Sequence, residues 1–129
     1  MGICLDSNAI SAGSKFFDWT FDNAIYPVLP AIAYMELSYH HLKKHGHTRV
    51  LNGIIAGYSI EIVPFDVDLA LVAASGALSK HDFSASAMDY AIGAYAEAHE
   101  MPLITYNKKH FTWLKEVYTP EELMKKLSA

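Results

Sequence analysis

Apolar runs with the composition of strands alternate along this chain with longer stretches of helical periodicity. The first run, residues 2–5, is followed directly by Asp6, and a later run, residues 102–106, is followed by Asn107. Strands that alternate with helices predict an α/β fold with a mainly parallel sheet. Because the carboxyl ends of parallel strands lie at one edge of such a sheet, we expect Asp6 and Asn107 to share a site there.

The same periodicity predicts the individual elements. Strands are predicted at residues 2–6, 60–65 and 102–107, and helices at residues 31–44, 49–57, 68–78, 84–99 and from Pro120 onward. Pro27 and Pro30 punctuate the chain before the first of these helices, and Gly46 ends that helix. Thr119 and Glu122 form a capping-box pattern at the start of the last helix. No linker, repeat or low-complexity segment interrupts the pattern, so we expect a single domain over residues 1–129.

The composition indicates the surroundings of the protein. Hydrophobic residues make up 52% of the 129 residues and charged residues 19%, an excess that indicates an apolar surface for a partner, above all a second copy of the chain. No apolar run approaches the roughly 20 residues of a membrane span, and the N-terminus does not have the pattern of a signal peptide. The lone cysteine, Cys4, fits a reducing, cytoplasmic location.

The formal net charge is −4, which argues against tight binding of nucleic acid through bulk electrostatics. It does not exclude an enzyme that acts on nucleic acid. A metal ion in an acidic pocket reverses the local potential and attracts phosphate to an otherwise acidic surface.

Four residues are candidates for chemistry: Asp6, Glu36, Asp89 and Asn107. Carboxylates gathered at a sheet edge suit a hard divalent cation such as Mg²⁺ or Mn²⁺. Such ions activate water and stabilise the charge of a phosphodiester under hydrolysis. In this interpretation Asp6 and Asp89 are the main metal ligands. Glu36 binds the ion directly or through water, and Asn107 offers a weaker carbonyl oxygen.

Around these residues the chain resembles the PIN-domain ribonucleases, and within them the VapC-like toxins of toxin–antitoxin systems. Four motifs carry the resemblance, in the order found in the family: LDSN at residues 5–8, PAIAYMEL at 30–37, DYAIGAYA at 89–96 and LITYNKKHF at 103–111. The step of 18 residues from Asp89 to Asn107 also matches the family. Two positions differ from its usual pattern, since Ser7 stands where threonine is more common and Asn107 where aspartate is frequent.

The resemblance implies a fold, an activity and partners. The fold is a three-layer α/β/α sandwich around a short, mainly parallel central sheet. The activity is that of a Mg²⁺- or Mn²⁺-dependent endoribonuclease, with catalytic residues Asp6, Glu36, Asp89 and Asn107. The partners are an RNA substrate, a small antitoxin encoded beside the toxin, and a second copy of the chain in a homodimer. Weaker contacts with RNA are expected from the flanking residues Ser7, Asn8, Thr105, Lys108 and Lys109.

Other interpretations of the same residues stay open. The charge lost at Asn107 favours a catalytically weak or inactive RNA-binding or assembly module. A receiver-type phosphoryl-transfer domain also has acids at strand ends, but it needs a second carboxylate beside Asp6, and residue 8 is Asn. Asp82 is interpreted as the cap of the helix that carries Asp89. An exposed helix end, in preference to a zinc site, is the interpretation of His40, His41, His45 and His47.

Overall fold

The computed structural model describes residues 1–128, and within them five strands form one parallel sheet. The strands are β1 (Gly2–Leu5), β2 (Tyr26–Pro30), β3 (Glu61–Val63), β4 (Leu103–Ile104) and β5 (Val117–Tyr118). Their order is β3-β2-β1-β4-β5, so the central β1 has β2 on one side and β4 on the other. The predicted end of the domain, residue 129, lies outside the described residues.

Helices flank this sheet and complete the predicted three-layer α/β/α sandwich, which is confirmed. In the described chain they are α1 (Ser14–Asp22), α2 (Ala31–His45), α3 (Arg49–Gly57), α4 (Val67–Ala77), α5 (Phe83–Ala98) and α6 (Pro120–Ser128). Short 3₁₀ helices, Ser7–Ala12 and Lys108–Phe111, lie just beyond β1 and β4. None of the helices within residues 1–128 has the length and apolar character needed to cross a bilayer.

The sheet forms the centre of the hydrophobic core. In β1, Ile3, Cys4 and Leu5 have no exposed surface. A continuous apolar run of this kind is typical of a parallel strand with both faces covered. A second, smaller apolar cluster lies between α4 and α5 and includes Leu69 and Tyr90. The loops that follow β1 and β4 are therefore attached to a rigid, fully packed base.

Two predicted helix boundaries are confirmed by hydrogen bonds. Gly46 ends α2 with a left-handed backbone, φ 76°, and its N–H donates to the Leu42 carbonyl at 2.8 Å. At the start of α6, the Glu122 N–H donates to Thr119 Oγ1 at 3.1 Å, and the Thr119 N–H donates to Glu122 Oε1 at 2.8 Å. These two bonds form the reciprocal capping box that the sequence predicts.

Other local predictions are wrong. β2 runs through Pro27 and Pro30, since the extended backbone of Pro30, with φ −58° and ψ 143°, suits a strand. β4 spans only Leu103–Ile104, shorter than the predicted strand at residues 102–107, although the Thr105 N–H still donates to the Tyr118 carbonyl of β5 at 2.9 Å. The interpretation of Asp82 as a cap is only partly right. It is the N-cap residue of α5, and its backbone carbonyl accepts the N–H groups of Ala85 and Ser86 at 3.1 Å, but its carboxylate makes no capping hydrogen bond and accepts the Tyr90 hydroxyl at 2.6 Å. Helix α1 and strand β5 are also absent from the predicted elements.

Candidate active site

The carboxylate of Asp6 lies directly after β1, at the point where the strand order reverses. It is only 4% exposed, and both of its oxygens accept hydrogen bonds. Oδ1 accepts the Ser7 N–H at 2.8 Å, and Oδ2 accepts the Thr105 hydroxyl at 2.7 Å. In parallel α/β sheets, ligands bind in the crevice beyond the carboxyl ends of the strands at such a reversal. Asp6 is therefore fixed in orientation at the place where this fold binds ligands.

The loop after β4 is tied to the loop after β1 by polar side chains. Thr105 is fully buried, and its Oγ1 also accepts the Asn107 N–H at 3.0 Å. The Asn8 Oδ1 accepts the Tyr106 N–H at 3.1 Å. These contacts give Thr105 and Asn8 positioning roles. Thr105 has no exposed surface in this structure, and the RNA contact expected of it stays a prediction.

Glu36 on α2 and Asp89 on α5 complete an acidic cluster with Asp6. Burial raises the pKa of Glu36, and the negative charges of Asp6 and Asp89 raise it further. Burial also raises the pKa of Asp6, against the opposing effect of the Thr105 hydroxyl. Each acid thus lies within electrostatic reach of the others. The structure brings together three residues that are 30 and 53 positions apart in the chain.

His110, which the sequence analysis does not name as a site residue, also belongs to this cluster. His110 Nδ1 lies 3.3 Å from Asp89 Oδ2, and both side chains are partly exposed. Burial raises the pKa of Asp89, whereas the neighbouring His110 lowers it. The position of His110 could have been suspected from its place in the fourth motif, one residue before Phe111, which is fully buried.

Asn107 and Lys108 are less closely connected to the acids. The side chain of Asn107 is exposed and makes no hydrogen bond with the described residues, although its carbonyl accepts the His110 N–H at 3.0 Å. Lys108 Nζ forms an ion pair with Glu122 Oε2 at 3.0 Å. Asn107 therefore contributes to the site mainly through its backbone in this structure.

The acids suit a hard divalent cation by their chemistry. No three His, Cys, Asp or Glu side chains among residues 1–128 are arranged to hold an ion as they stand. Mg²⁺, however, usually keeps several waters and takes only one or two protein carboxylates. Asp6 together with Asp89 or Glu36 satisfies that requirement, and a cation would offset the mutual repulsion that raises the pKa of Glu36.

The clustered histidines at the end of α2 do not form a comparable site. The ring centroids of His41 and His45 are 5.7 Å apart, and those of His45 and His47 are 6.0 Å apart. Nevertheless, in the part of the chain that the structure describes, these rings do not belong to any group of three potential ligands. His41 is half-buried, and its Nδ1 is buried without a hydrogen-bond partner among the described residues, so the interpretation of the four histidines as an exposed helix end stays a prediction.

Comparisons with known proteins identify the family and the fold of this chain. The model of the family described as PIN domain matches residues 3–117. Among curated proteins, none is significantly similar to this chain in sequence.

Several solved structures share the fold. A toxin–antitoxin complex from Klebsiella pneumoniae has a chain 21% identical, with TM-score 0.67, over 92% of this chain and 97% of that chain. For VapBC-1 from nontypeable Haemophilus influenzae the identity is 17% and the TM-score 0.72, over 94% and 99% of the two chains. For DNA-bound VapBC from Salmonella typhimurium these values are 17% and 0.69, over 93% and 98%.

Proposed function

Because this chain belongs to the PIN domain family, a family of nucleases, we propose that it is a metal-dependent endoribonuclease that hydrolyses RNA phosphodiester bonds. We also propose that it is the toxin of a toxin–antitoxin pair and acts in the cytoplasm. The observation that carries the proposal is the convergence of Asp6, Glu36 and Asp89 at the carboxyl edge of the sheet. Such a cluster suits a phosphodiester substrate only when a cation neutralises part of its charge.

The residues of the site have different roles in the proposed hydrolysis. Ser7 and Thr105 hold the Asp6 carboxylate in one orientation, which makes it a preorganised ligand for Mg²⁺ or Mn²⁺. The bound ion would lower the pKa of a water and stabilise the charge on the reacting phosphate. Glu36, whose pKa is raised by burial and by its two acidic neighbours, is suited to accept the proton of the attacking water. His110 holds Asp89 beside them.

Two protein partners belong to the proposal. The similar solved structures are toxin–antitoxin and VapBC complexes, which supports an antitoxin as the regulator of this chain. A short open reading frame for a DNA-binding protein beside the gene is the observation that this part of the proposal requires. The second partner is another copy of the chain, because large apolar side chains remain exposed on α4.

Cleavage of labelled single-stranded RNA tests the catalytic proposal. We expect the wild-type protein to cleave with Mg²⁺ or Mn²⁺ and to stop when EDTA is added. Asp6→Asn and Asp89→Asn should each lower the rate at least about 100-fold, since the loss of outer-shell partners of a metal alone typically costs about 10–100-fold. Asp18→Asn, which removes the same charge from an exposed position on α1, should keep the wild-type rate.

Two outcomes would contradict the proposal. Equal, weak cleavage by wild type and both site variants across diverse RNAs would leave the inactive RNA-binding module as the better interpretation. Cleavage that is lost in the site variants but unaffected by EDTA would retain the nuclease and remove the metal.

A further inference from the structure

A groove with a positive lining lies between the 3₁₀ helix Lys108–Phe111 and the start of β5. Its volume is about 410 Å³, and three of its seven lining residues are lysines, whereas none is acidic. The protein as a whole is negative, with only ten Lys and Arg residues against fourteen Asp and Glu. Five of those ten fall in the last 22 residues: Lys108, Lys109, Lys115, Lys125 and Lys126. Three of these five lysines line the groove, and the same 22 residues also contain three glutamates, Glu116, Glu121 and Glu122.

One short element connects the groove with the acids. The 3₁₀ helix Lys108–Phe111 gives His110 to the cluster, 3.3 Å from Asp89, and gives its two lysines to the groove. Phe111 anchors this helix in the core with no exposed surface. None of the acids lines the groove, but the helix that carries His110 connects the two, and the packing of Phe111 fixes that helix.

The three lysines of the groove are not equivalent. Lys108 Nζ pairs with Glu122 at 3.0 Å, so its charge is offset within the protein. Lys109 and Lys115 are exposed, and neither forms an ion pair within 4.0 Å among residues 1–128. Lys115 also borders a cavity lined by Glu97, Glu100 and Glu116, which reduces its field. Of the three, Lys109 alone has neither an ion-pair partner among residues 1–128 nor a place in the lining of that acidic cavity.

We propose that this groove holds a phosphate of single-stranded RNA next to the scissile one, with Lys109 and Lys115 as its contacts. The inference rests on the proposed function and adds the path of the substrate. An RNA strand that reaches three carboxylates is repelled by them, so a neighbouring phosphate must be attracted for the strand to stay. Besides the lysines and Thr112, the groove is lined by the apolar side chains of Phe111, Leu114 and Val117, so its main attraction for RNA is the charge of its lysines. The groove therefore positions the strand without reading its sequence.

Salt-dependent binding tests the groove apart from catalysis. The full-length Asp6→Asn protein is titrated into labelled single-stranded RNA at several KCl concentrations in Mg²⁺, and affinity is measured by fluorescence anisotropy. For single strands, each phosphate contact contributes about 0.7 to the slope of log K against log salt. Adding Lys109→Gln or Lys115→Gln should reduce the slope, by about 0.7 at most for the two together, because both lysines contact one phosphate. Lys44→Gln, with the same charge change at the exposed end of α2, should not change it.

The outcomes separate the two proposals. Unchanged slopes for Lys109→Gln and Lys115→Gln, with RNA still bound, would overturn the groove and leave the ribonuclease intact. An equal decrease for Lys44→Gln would also overturn it, because binding would then follow net charge alone. Absence of RNA binding by the Asp6→Asn protein at low salt would count against the proposed function itself. In otherwise wild-type protein, the two groove variants should raise KM for RNA and leave kcat within about twofold.

Discussion

The carboxylate of Glu36 is destabilised in its charged form by burial and by both of the other acids in the site. Its pKa is raised by burial and by the charges of Asp6 and Asp89, and burial raises the pKa of those two residues as well. A carboxyl with a raised pKa in the folded state favours folding while it is protonated, and this stability is lost as the pH rises through the raised pKa. The metal-free protein should therefore bear an electrostatic cost at neutral pH.

Replacing Glu36 by Gln should reveal this cost. In EDTA, we expect Glu36→Gln to raise Tm by a few degrees at about pH 7 and by much less at about pH 4, where the wild-type carboxyl is itself largely protonated. The gain is small because Glu36 is partly exposed and water screens the repulsion. Thermal unfolding followed by circular dichroism at both pH values measures it, with Glu97→Gln on the exposed side of α5 as the control. The same change in Tm at both pH values would show that the acids do not repel one another.

The sequence identifies the three acidic residues of the site better than it identifies the residues that contact them and hold them in place. Asp6, Glu36 and Asp89 stand in motifs that can be found one at a time, and the structure brings the three together. The hydrogen bond from Thr105 to Asp6 joins residues 99 positions apart, and no local pattern predicts such a partner. The contact between His110 and Asp89 likewise depends on how a 3₁₀ helix packs after β4. Supporting residues are therefore known only when the tertiary structure is known.

At the scale of elements, two glycines allow Trp113 to lie against α4 and α5. A Cβ at Gly76 would lie 2.6 Å from the Trp113 ring, and a Cβ at Gly93 would lie 2.7 Å from it and 3.2 Å from Leu114. In a helix, glycine by itself is about 1 kcal/mol less favourable than alanine. In the structure, both glycines are positions of close approach between a helix and a large aromatic side chain.

Substituting Gly93 should show whether glycine is needed there for close packing of Trp113 or only lowers the stability of the helix. Gly93→Ala should lower the free energy of unfolding by about 1–3 kcal/mol, because overpacking of a rigid ring outweighs the better helix propensity of alanine. It should also slow RNA cleavage, since Phe111, 3.4 Å from the added Cβ, anchors the helix that carries His110. Urea unfolding and the cleavage assay measure both effects.

Gly53 on α3 provides the matched control. No atom lies within 4 Å of a Cβ added there, so Gly53→Ala should stabilise the protein by up to about 1 kcal/mol. If Gly93→Ala and Gly53→Ala change stability in the same direction, the close approach of Trp113 is not what requires glycine at residue 93.

The predicted elements are accurate where periodicity is long and fail where the element is short or contains proline. Helices α2, α3, α4 and α5 begin and end within a residue of their predicted limits. Strand β2 is missing from the predicted elements because Pro27 and Pro30 usually interrupt a strand. In the structure, pairing with β1 keeps β2 in the sheet. β5 has only two residues, too few for any alternation. Long-range pairing, not local propensity, determines both strands.

At the scale of the whole molecule, an apolar stripe on α4 lacks a partner in the single chain. Val67, Leu71 and Leu78, which closes this helix, are 77%, 64% and 75% exposed. Their spacings of four and seven residues place them on one face. The opposite face of α4 packs on α5 through Leu69 and Ala73, so the helix is apolar on both sides. A surface helix with this pattern is expected to be covered by another protein surface.

The oligomeric state tests whether a second copy covers this stripe. We expect the wild-type protein to have twice the monomer mass in size-exclusion chromatography with light scattering. Leu71→Glu should give the monomer mass, because it places an unpaired charge in the centre of the interface. Phe21→Glu, a change of the same kind at a side chain 76% exposed on α1, should leave the dimer intact. A wild-type protein that is monomeric at the highest concentration tested would contradict the homodimer. If both Leu71→Glu and Phe21→Glu gave monomers, the interface would not be confined to α4.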